Sequence, residues 1–340
     1  MSELTVLIVT NRAPRHQEIL KSAAPEGLAI TTLEAPSREE ILAHLPSADV
    51  LISERSGKVD AEMIAAGKRL KLIQRLGRMV YDIDLDAARA AGVPVCRFPL
   101  RGCSMVAEHA LMQILNLIKT FRESSAILHE DCDWGQEPRK CDENYFAYNW
   151  TDRRGIGSLA GSTVGILGFG EIGIELAHRL RACDSEVLYN KRTPLPASVE
   201  EEFNVAFSDL ETIKARADVL VSLLPHGPGM GECIDSAFIA GMKEGAYLVS
   251  TGASTILNEA DVARAYAQGR LAGVATDGWT WEPVPRDNPL LRLARDPMAN
   301  VVLTPHVAGG VRSNDQAMRR LEWENLRRLM AGEPLVNRVA

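Results

Sequence analysis

Three stretches of this chain carry residue types that could do chemistry together. The first is Thr304-Pro305-His306, directly after the apolar run Val301–Leu303. The proline ends a strand and leaves the imidazole at its tip, the side on which ligands of open α/β sheets bind. A histidine titrates near neutrality, so His306 could exchange a proton with a hydroxyl or carbonyl oxygen while hydride moves to or from a nicotinamide. The second is Trp281-Glu282-Pro283, whose carboxylate, buried beside that imidazole, would fix its tautomer and favour its charged form. Taken alone, a histidine after a strand is more often structural, and Glu282 reads as a solvated loop acid.

The third is Gly168-Phe169-Gly170-Glu171-Ile172-Gly173, which follows the apolar run Thr163–Leu167 and opens a helical pattern reaching about Arg181; Glu186–Tyr189 then reads as a strand. Strand, glycine turn, helix and strand come in the order a dinucleotide site needs. Gly168 allows the tight turn, Gly170 lets a pyrophosphate approach the backbone, and Gly173 lets helix and strand pack closely. The helix start offers unpaired N–H groups to the phosphates. In NAD-preferring sites an acid roughly 20 positions after the first glycine bonds the ribose 2′-hydroxyl. Here Asn190 stands at that strand end with Lys191 and Arg192 after it, while Asp184 lies before the strand. Two cations could pair with a 2′-phosphate that a carboxylate would repel, so NADP(H) is expected over NAD(H).

The elements that must position these groups are legible as runs and periods. Leu4–Thr10, Ala29–Leu33, Val50–Ser53, Leu70–Gln74 and Val93–Cys96 suit buried parallel strands. Between them Ser37–Glu40 has capping-box spacing, and Asp60–Ala66 and Asp84–Ala90 each run from an acid towards a glycine. Met105–Leu128 reads as one helix, apolar nearly all round, which suits burial between domains. Residues 129–158 form a long irregular stretch with Trp134, Tyr145, Tyr148 and Trp150, either an arm over a partner subunit or a self-packed loop. A second array starts at Thr163 and continues through Asp218–Leu223, Ala246–Ser250, Gly273–Ala275 and Val301–Thr304. A last helix, Ser313–Met330, is expected to fold back onto the first array. The expected fold is α/β: two Rossmann-like or flavodoxin-like βα domains with an interdomain cleft. Residues 1–104 plus 311–340 would bind substrate, and residues 105–310 the dinucleotide.

Composition sets limits. At 340 residues, 46% apolar and 24% charged, the chain can bury two cores, and its net charge of −7 argues against a nucleic-acid partner. The six cysteines show no CxxC spacing, so scattered thiols in a reducing compartment are expected, with no metal site. No export signal or membrane-length apolar run is visible, and a cytoplasmic location is expected.

Taken in order, the glycine turn, the Ser250-Thr251 strand end, Asp277 with Glu282-Pro283, and Thr304-Pro305-His306 with Ala308-Gly309 resemble the D-isomer-specific 2-hydroxyacid dehydrogenases. Leu70–Ile73, Asp84–Ala88, Val106-Ala107-Glu108-His109-Ala110, Phe207–Ile234 and Met242–Ala246 extend the resemblance over nearly the whole chain. It implies His306 as acid/base, Glu282 as its partner, and Asp277 near the nicotinamide ribose. Pro225, Thr251 and Gly252 would join the glycine turn in holding the cofactor, and a homodimer would form through the cofactor domain.

One position departs. The family's strand-end arginine, which grips the substrate carboxylate and carbonyl, falls on Ala253, in a register supported by Glu259. Losing such a donor costs about 3 kcal/mol of transition-state stabilisation, roughly 10²-fold in rate. Where relatives have a glycine-rich carboxylate-binding turn, this chain has Gly77-Arg78-Met79. Arg78 could supply the missing cation or point to solvent, Met79 adds apolar bulk, and Arg55 and Arg101 are lesser candidates. Three readings stand: a small-molecule 2-oxo-acid reductase, a reductase of a bulkier carbonyl accommodated by Met79 and the Trp279/Trp281 pair, and a nucleotide-sensing protein that has lost catalysis.

Overall fold

The computed structural model describes residues 3–54, 57–129, 134–227, 229–310 and 315–340. The chain divides into two compact units, Met1–Met105 with Gly309–Ala340, and Val106–Ala308.

In the first unit, strands β1 (Leu4–Thr10), β2 (Leu28–Glu34), β3 (Val50–Glu54), β4 (Leu72–Leu76) and β5 (Val95–Phe98) form one sheet in the order β2-β1-β3-β4-β5. Every pairing in it is parallel. The continuous apolar runs fit this, since a parallel sheet is covered on both faces and β3 and β4 are buried at every position. Strands β4 and β5 each start two residues later than the apolar run. Leu70 is spent closing a turn, its N–H bonded to Gly67 O at 2.9 Å. Ser37 makes both halves of a capping box with Glu40, and Asp60 and Asp84 each cap a helix.

The C-terminal segment belongs to this unit but is two helices, Asp315–Glu322 and Glu324–Ala331. Trp323 separates them. It is fully buried, and its indole N–H donates to Leu20 O at 3.0 Å. Asn325 bonds Gln74 at 2.9 Å, and the last residues bridge Cys96 of β5.

In the second unit β6 (Thr163–Leu167), β7 (Glu186–Asn190), β8 (Ala206–Phe207), β9 (Val219–Ser222), β10 (Ala246–Ser250), β11 (Leu271–Thr276) and β12 (Val301–Leu303) form a parallel seven-stranded sheet, ordered β12-β11-β10-β9-β6-β7-β8. The chain order reverses beside β6, so β6 stands at the topological switch point. Its core gathers Leu167, Leu220, Leu248, Val274 and the ring of Trp279.

The long helix expected over Met105–Leu128 is instead Arg101–Ile118 followed by Phe121–Ile127, with Thr120 left-handed at φ 44° between them. The last-turn carbonyls explain the break. Leu117 O accepts from Asn300 Nδ2 at 3.0 Å and Ile118 O from Gly157 N at 2.8 Å. With those acceptors taken by distant donors, the ladder stops there. Residues 134–158 are turns and irregular chain with Phe146 68% and Tyr148 87% exposed. No helix among the described residues is long and apolar enough to cross a membrane.

Candidate active site

The three glycines after β6 do different work. Gly168 has φ 84°, and a Cβ there would lie 2.6 Å from Leu223 O and 2.8 Å from Leu224 N, both backbone atoms of the chain leaving β9. Only glycine fits. A Cβ at Gly173 would meet the ring of buried Phe169 at 2.9 Å, so this glycine serves turn-to-helix packing rather than the strand itself. At Gly170 a Cβ would meet nothing within 4 Å. Gly170 is also the N-cap of helix Glu171–Arg181, so the open space lies at the N-terminal end of that helix, where its dipole favours an anion.

Two buried hydroxyls at neighbouring strand ends, Ser222 Oγ and Thr251 Oγ1, have no hydrogen-bond partner. Unsatisfied polar groups of this kind are costly unless something else bonds them. A cradle without a Cβ and two orphaned hydroxyls fit a dinucleotide. Pro225 and Gly252 sit on the loops between: Pro225 is exposed, and a Cβ at Gly252 would lie 2.7 Å from Leu224 O. Ile172 is half-buried behind the turn and Glu171 is buried.

At the end of β7, Asn190 turns its amide to Ser208 O at 2.8 Å, so its donor is engaged within the protein. Lys191 is half-buried and Arg192 exposed. Burial holds the Lys191 ammonium below the usual lysine range, with nearby Glu171 pulling the other way.

The loops after β11 and β12 carry the carboxylate and the imidazole. His306 Nδ1 lies 2.7 and 2.9 Å from the two carboxylate oxygens of Glu282. A carboxylate accepts, so Nδ1 carries the hydrogen and Nε2 faces away with its lone pair, or with a proton to give. Both side chains are open to solvent, at 58% and 39% exposure, where a buried carboxylate was expected. Glu282 Oε1 also accepts from Trp279 N at 3.2 Å.

The loop carrying His306 is held from beneath. Its φ of 55° is left-handed, a conformation a non-glycine residue keeps only when its surroundings over-determine it. Asp277, 2% exposed, supplies that constraint. Its Oδ1 accepts from Thr304 Oγ1 at 2.6 Å and Val307 N at 3.0 Å, and its Oδ2 from Ala308 N at 2.8 Å. Residues on both sides of His306 are thus tied to one carboxylate. Trp279 joins them, donating from Nε1 to Thr304 O at 3.0 Å.

That contact corrects the expectation that Trp279 and Trp281 form one pocket wall. Trp279 is buried as a brace, whereas Trp281 is 72% exposed. Their shared sequence neighbourhood hid opposite environments.

Sequence reasoning missed the groups behind this corner. His109 Nε2 lies 2.9 Å from Thr304 Oγ1, and Gln113 Nε2 lies 3.3 Å from the same oxygen. It also missed His226, whose Nδ1 is 3.3 Å from Thr255 Oγ1, beside Ala253. Ala253 itself packs against the second unit's core. A histidine four residues before a glutamine on one helix was the only available signal for the first pair.

In the first unit, Gly77 has φ 148° and its N–H bonds Phe98 O at 2.8 Å, pinning the turn after β4 to β5. Arg78 is half-buried, and its carbonyl accepts from Arg97 Nη1 at 3.4 Å. Met79 is buried at 6% exposure, so its bulk fills the interior. Arg101 is exposed at the start of helix Arg101–Ile118, and Arg55 lies outside the described residues. No group of three or more histidine, cysteine, aspartate or glutamate side chains among the described residues could hold a metal ion.

Two doubly wound parallel sheets, one opening on a glycine turn and ending on a carboxylate–imidazole pair, define a dinucleotide-dependent type of α/β protein. Residues 111–308 match the family model described as D-isomer specific 2-hydroxyacid dehydrogenase, NAD binding domain. The chain belongs to this family. It is 29% identical over 328 residues to the D-3-phosphoglycerate dehydrogenase of Archaeoglobus fulgidus, covering 96% of this chain but 58% of that protein. It is also 29% identical over 301 residues to the glyoxylate reductase of Thermofilum pendens, covering 88% of this chain and 83% of that one. A crystal structure of a Pyrococcus horikoshii protein superposes with a TM-score of 0.58 at 27% identity, covering 99% and 95% of the two chains.

Proposed function

We propose that this protein is an NADP(H)-preferring oxidoreductase of the 2-hydroxyacid dehydrogenase type, with His306 as acid/base. The observation that carries this reading is the His306–Glu282 pair, with Nδ1 committed to the carboxylate at 2.7 Å and Nε2 without a protein partner among the described residues. Because every pairing in the sheet is parallel, that pair and the glycine turn lie at the same end of it. The nicotinamide, when bound, supplies hydride to a carbonyl carbon. His306 Nε2 gives its proton to the carbonyl oxygen, and Glu282 stabilises the imidazolium before transfer and keeps the ring oriented. In the reverse direction the neutral ring takes the hydroxyl proton. Gly168, Gly170 and the first turn of helix Glu171–Arg181 would hold the pyrophosphate, and Ser222 and Thr251 would use their unpartnered hydroxyls. Lys191 and Arg192 would meet a 2′-phosphate.

Ala253 brings no cation to the substrate, which favours either a 2-oxo acid gripped by Arg78 or a bulkier carbonyl compound that needs no such grip. The direct test is NADPH oxidation with glyoxylate, hydroxypyruvate and a panel of uncharged ketones, repeated for His306→Asn and Arg78→Ala. Turnover reduced at least 10²-fold in His306→Asn is expected. Tight NADPH binding with no turnover on any compound would instead favour a nucleotide sensor. Unchanged kinetics in Arg78→Ala would remove the arginine from the substrate site.

The exposed rings of Phe146, Tyr148 and Trp150 support a homodimer whose arms span 134–158. Sedimentation of the intact chain as a monomer at micromolar concentration would refute it. A cytoplasmic enzyme with no nucleic-acid or membrane partner completes the reading.

A further inference from the structure

We propose that His109 is a positioning residue for His306, acting through the hydroxyl of Thr304. The proposal rests on the reading of His306 as the proton donor, but its geometry stands independently. Thr304 Oγ1 has one hydrogen to give and two lone pairs to fill. Its short 2.6 Å contact is with Asp277 Oδ1, which can only accept, so the hydroxyl hydrogen goes there. Thr276 O, a second acceptor, is at the limit of contact at 3.5 Å, so the lone pairs are filled by the two nitrogens, His109 Nε2 at 2.9 Å and Gln113 Nε2 at 3.3 Å, and both donate. The count closes with no unmatched atom on the hydroxyl, and it fixes His109 with hydrogen on Nε2 whether the ring is neutral or charged.

The same hydrogen lies near the carboxylate, since His109 Nε2 is 3.5 Å from Asp277 Oδ1. Thr304 is therefore a junction. On one side stands the long helix Arg101–Ile118, with Asn300 fastened to its end at Leu117 O. On the other stands the carboxylate that ties down Val307 N and Ala308 N. His306 sits between those anchors in a left-handed conformation, with the Trp279 indole on Thr304 O as a further brace. With His109 removed, Gln113 at 3.3 Å is the one side-chain donor left to the hydroxyl, which can then turn from Asp277 towards Thr276 O, 3.5 Å away. The bracket around His306 then loosens, and the ring drifts from Glu282. His109 touches neither substrate nor cofactor in this scheme.

The test compares wild type, His109→Leu and His109→Gln, because a glutamine amide reaches the place of Nε2 and restores a donor. Amide hydrogen exchange at Val307 and Ala308 reads the bracket directly. The expected result is at least tenfold faster exchange at these two amides in His109→Leu. Amides of β9 and β10 should stay within about twofold, and His109→Gln should return to near wild type. Ring nitrogen shifts of His109 should show the hydrogen on Nε2. Where the wild type reduces a compound of the panel above, kcat should fall in His109→Leu with the KM for NADPH held, and recover in His109→Gln.

Unchanged exchange at Val307 and Ala308 would overturn the proposal. So would faster exchange spread evenly over β9–β11, which marks general packing, failure of glutamine to rescue, or a His109 ring with hydrogen on Nδ1 alone. If His109→Leu does not fold, His109→Asn, whose amide falls short of Thr304, takes its place with the same expectations. A wild type that turns over nothing defeats the proton-donor reading, while the exchange data still decide the positioning role.

Discussion

Replacing Asp277 by asparagine keeps shape and volume while removing one acceptor and the charge, so the corner that carries His306 can be probed without leaving a cavity. If the asparagine oxygen takes the place of Oδ1, the bonds from Thr304 Oγ1 at 2.6 Å and Val307 N at 3.0 Å survive, and the amide NH₂ faces Ala308 N–H. One charge-assisted hydrogen bond is lost, worth about 1.5–3 kcal/mol, and two donors oppose each other in a buried place, adding about 1–3 kcal/mol. The other rotamer loses two bonds and costs more. Against this, the wild type buries a carboxylate at 3% side-chain exposure, and relief of that desolvation returns part of the loss. The net is a destabilisation of about 2–4 kcal/mol.

With a urea dependence of about 3 kcal/mol per molar, the midpoint should fall by roughly 1 M. Tryptophan fluorescence is the natural probe, because the Trp279 indole bonds Thr304 O within the same corner. Asp86→Asn, at a 94% exposed position, serves as the control and should move the midpoint little. A midpoint in Asp277→Asn within about 0.2 M of wild type would refute the argument, since it would mean that the carboxylate contributes no more to the loop than a neutral amide does.

The two glycines of the turn should separate folding from binding. Gly168→Ala forces a Cβ to 2.6 Å from Leu223 O at φ 84° and should lose both stability and NADPH affinity. Gly170→Ala meets no protein atom within 4 Å, so its urea midpoint should hold while fluorescence titration with NADPH shows affinity lost; full affinity in that variant would place the pyrophosphate elsewhere. At Lys191 the ordinary pKa is lowered by burial, and a 2′-phosphate favours the charged form. NADPH affinity should therefore weaken as pH rises through that lowered value while NADH affinity stays level, and Lys191→Ala should lose affinity for NADPH selectively. Equal dissociation constants for NADPH and NADH in the wild type would remove the preference. In the first unit, burial pushes the Glu322 carboxyl from 4.5 up to about 7, opposed by Arg319, 2.5 Å away. An acid raised on folding holds its proton more tightly in the folded state, so stability falls as pH rises from about 4.5 to about 7 and levels off above. Glu322→Gln should flatten that segment of the stability profile, an effect of at most about 3 kcal/mol, and an unaltered slope would exclude Glu322 as its source.

Much of this was legible in local pattern. Val50-Leu51-Ile52 and Val164–Leu167 are buried at every position because a parallel sheet is covered on both faces, and Ser37, Asp60 and Asp84 announce their helices by capping chemistry that acts over three residues. The glycine turn was readable for the same reason, since a positive φ and a close backbone approach are needs of single positions. Legibility ended where distant segments compete for a local one. The helix break at Thr120 depends on Gly157 and Asn300 taking carbonyls that an isolated helix would leave to water. The break at Trp323 depends on burial of one indole against Leu20.

The sequence by itself determined the order of the elements and the glycine turn after β6, because each follows from residue type and short spacing, whereas the joint role of His306 and Glu282, 24 positions apart, was implied by the resemblance to a family. Only the tertiary structure decided that Asp277 serves the loop from below, that Trp279 is a brace while Trp281 is open, and that His109 meets Thr304. Thr304 lies 195 positions from His109 and 27 from Asp277, yet all three share one hydroxyl. A hydrogen bond of about 3 Å is set by where strands and helices come to rest, and no periodicity along the chain records it.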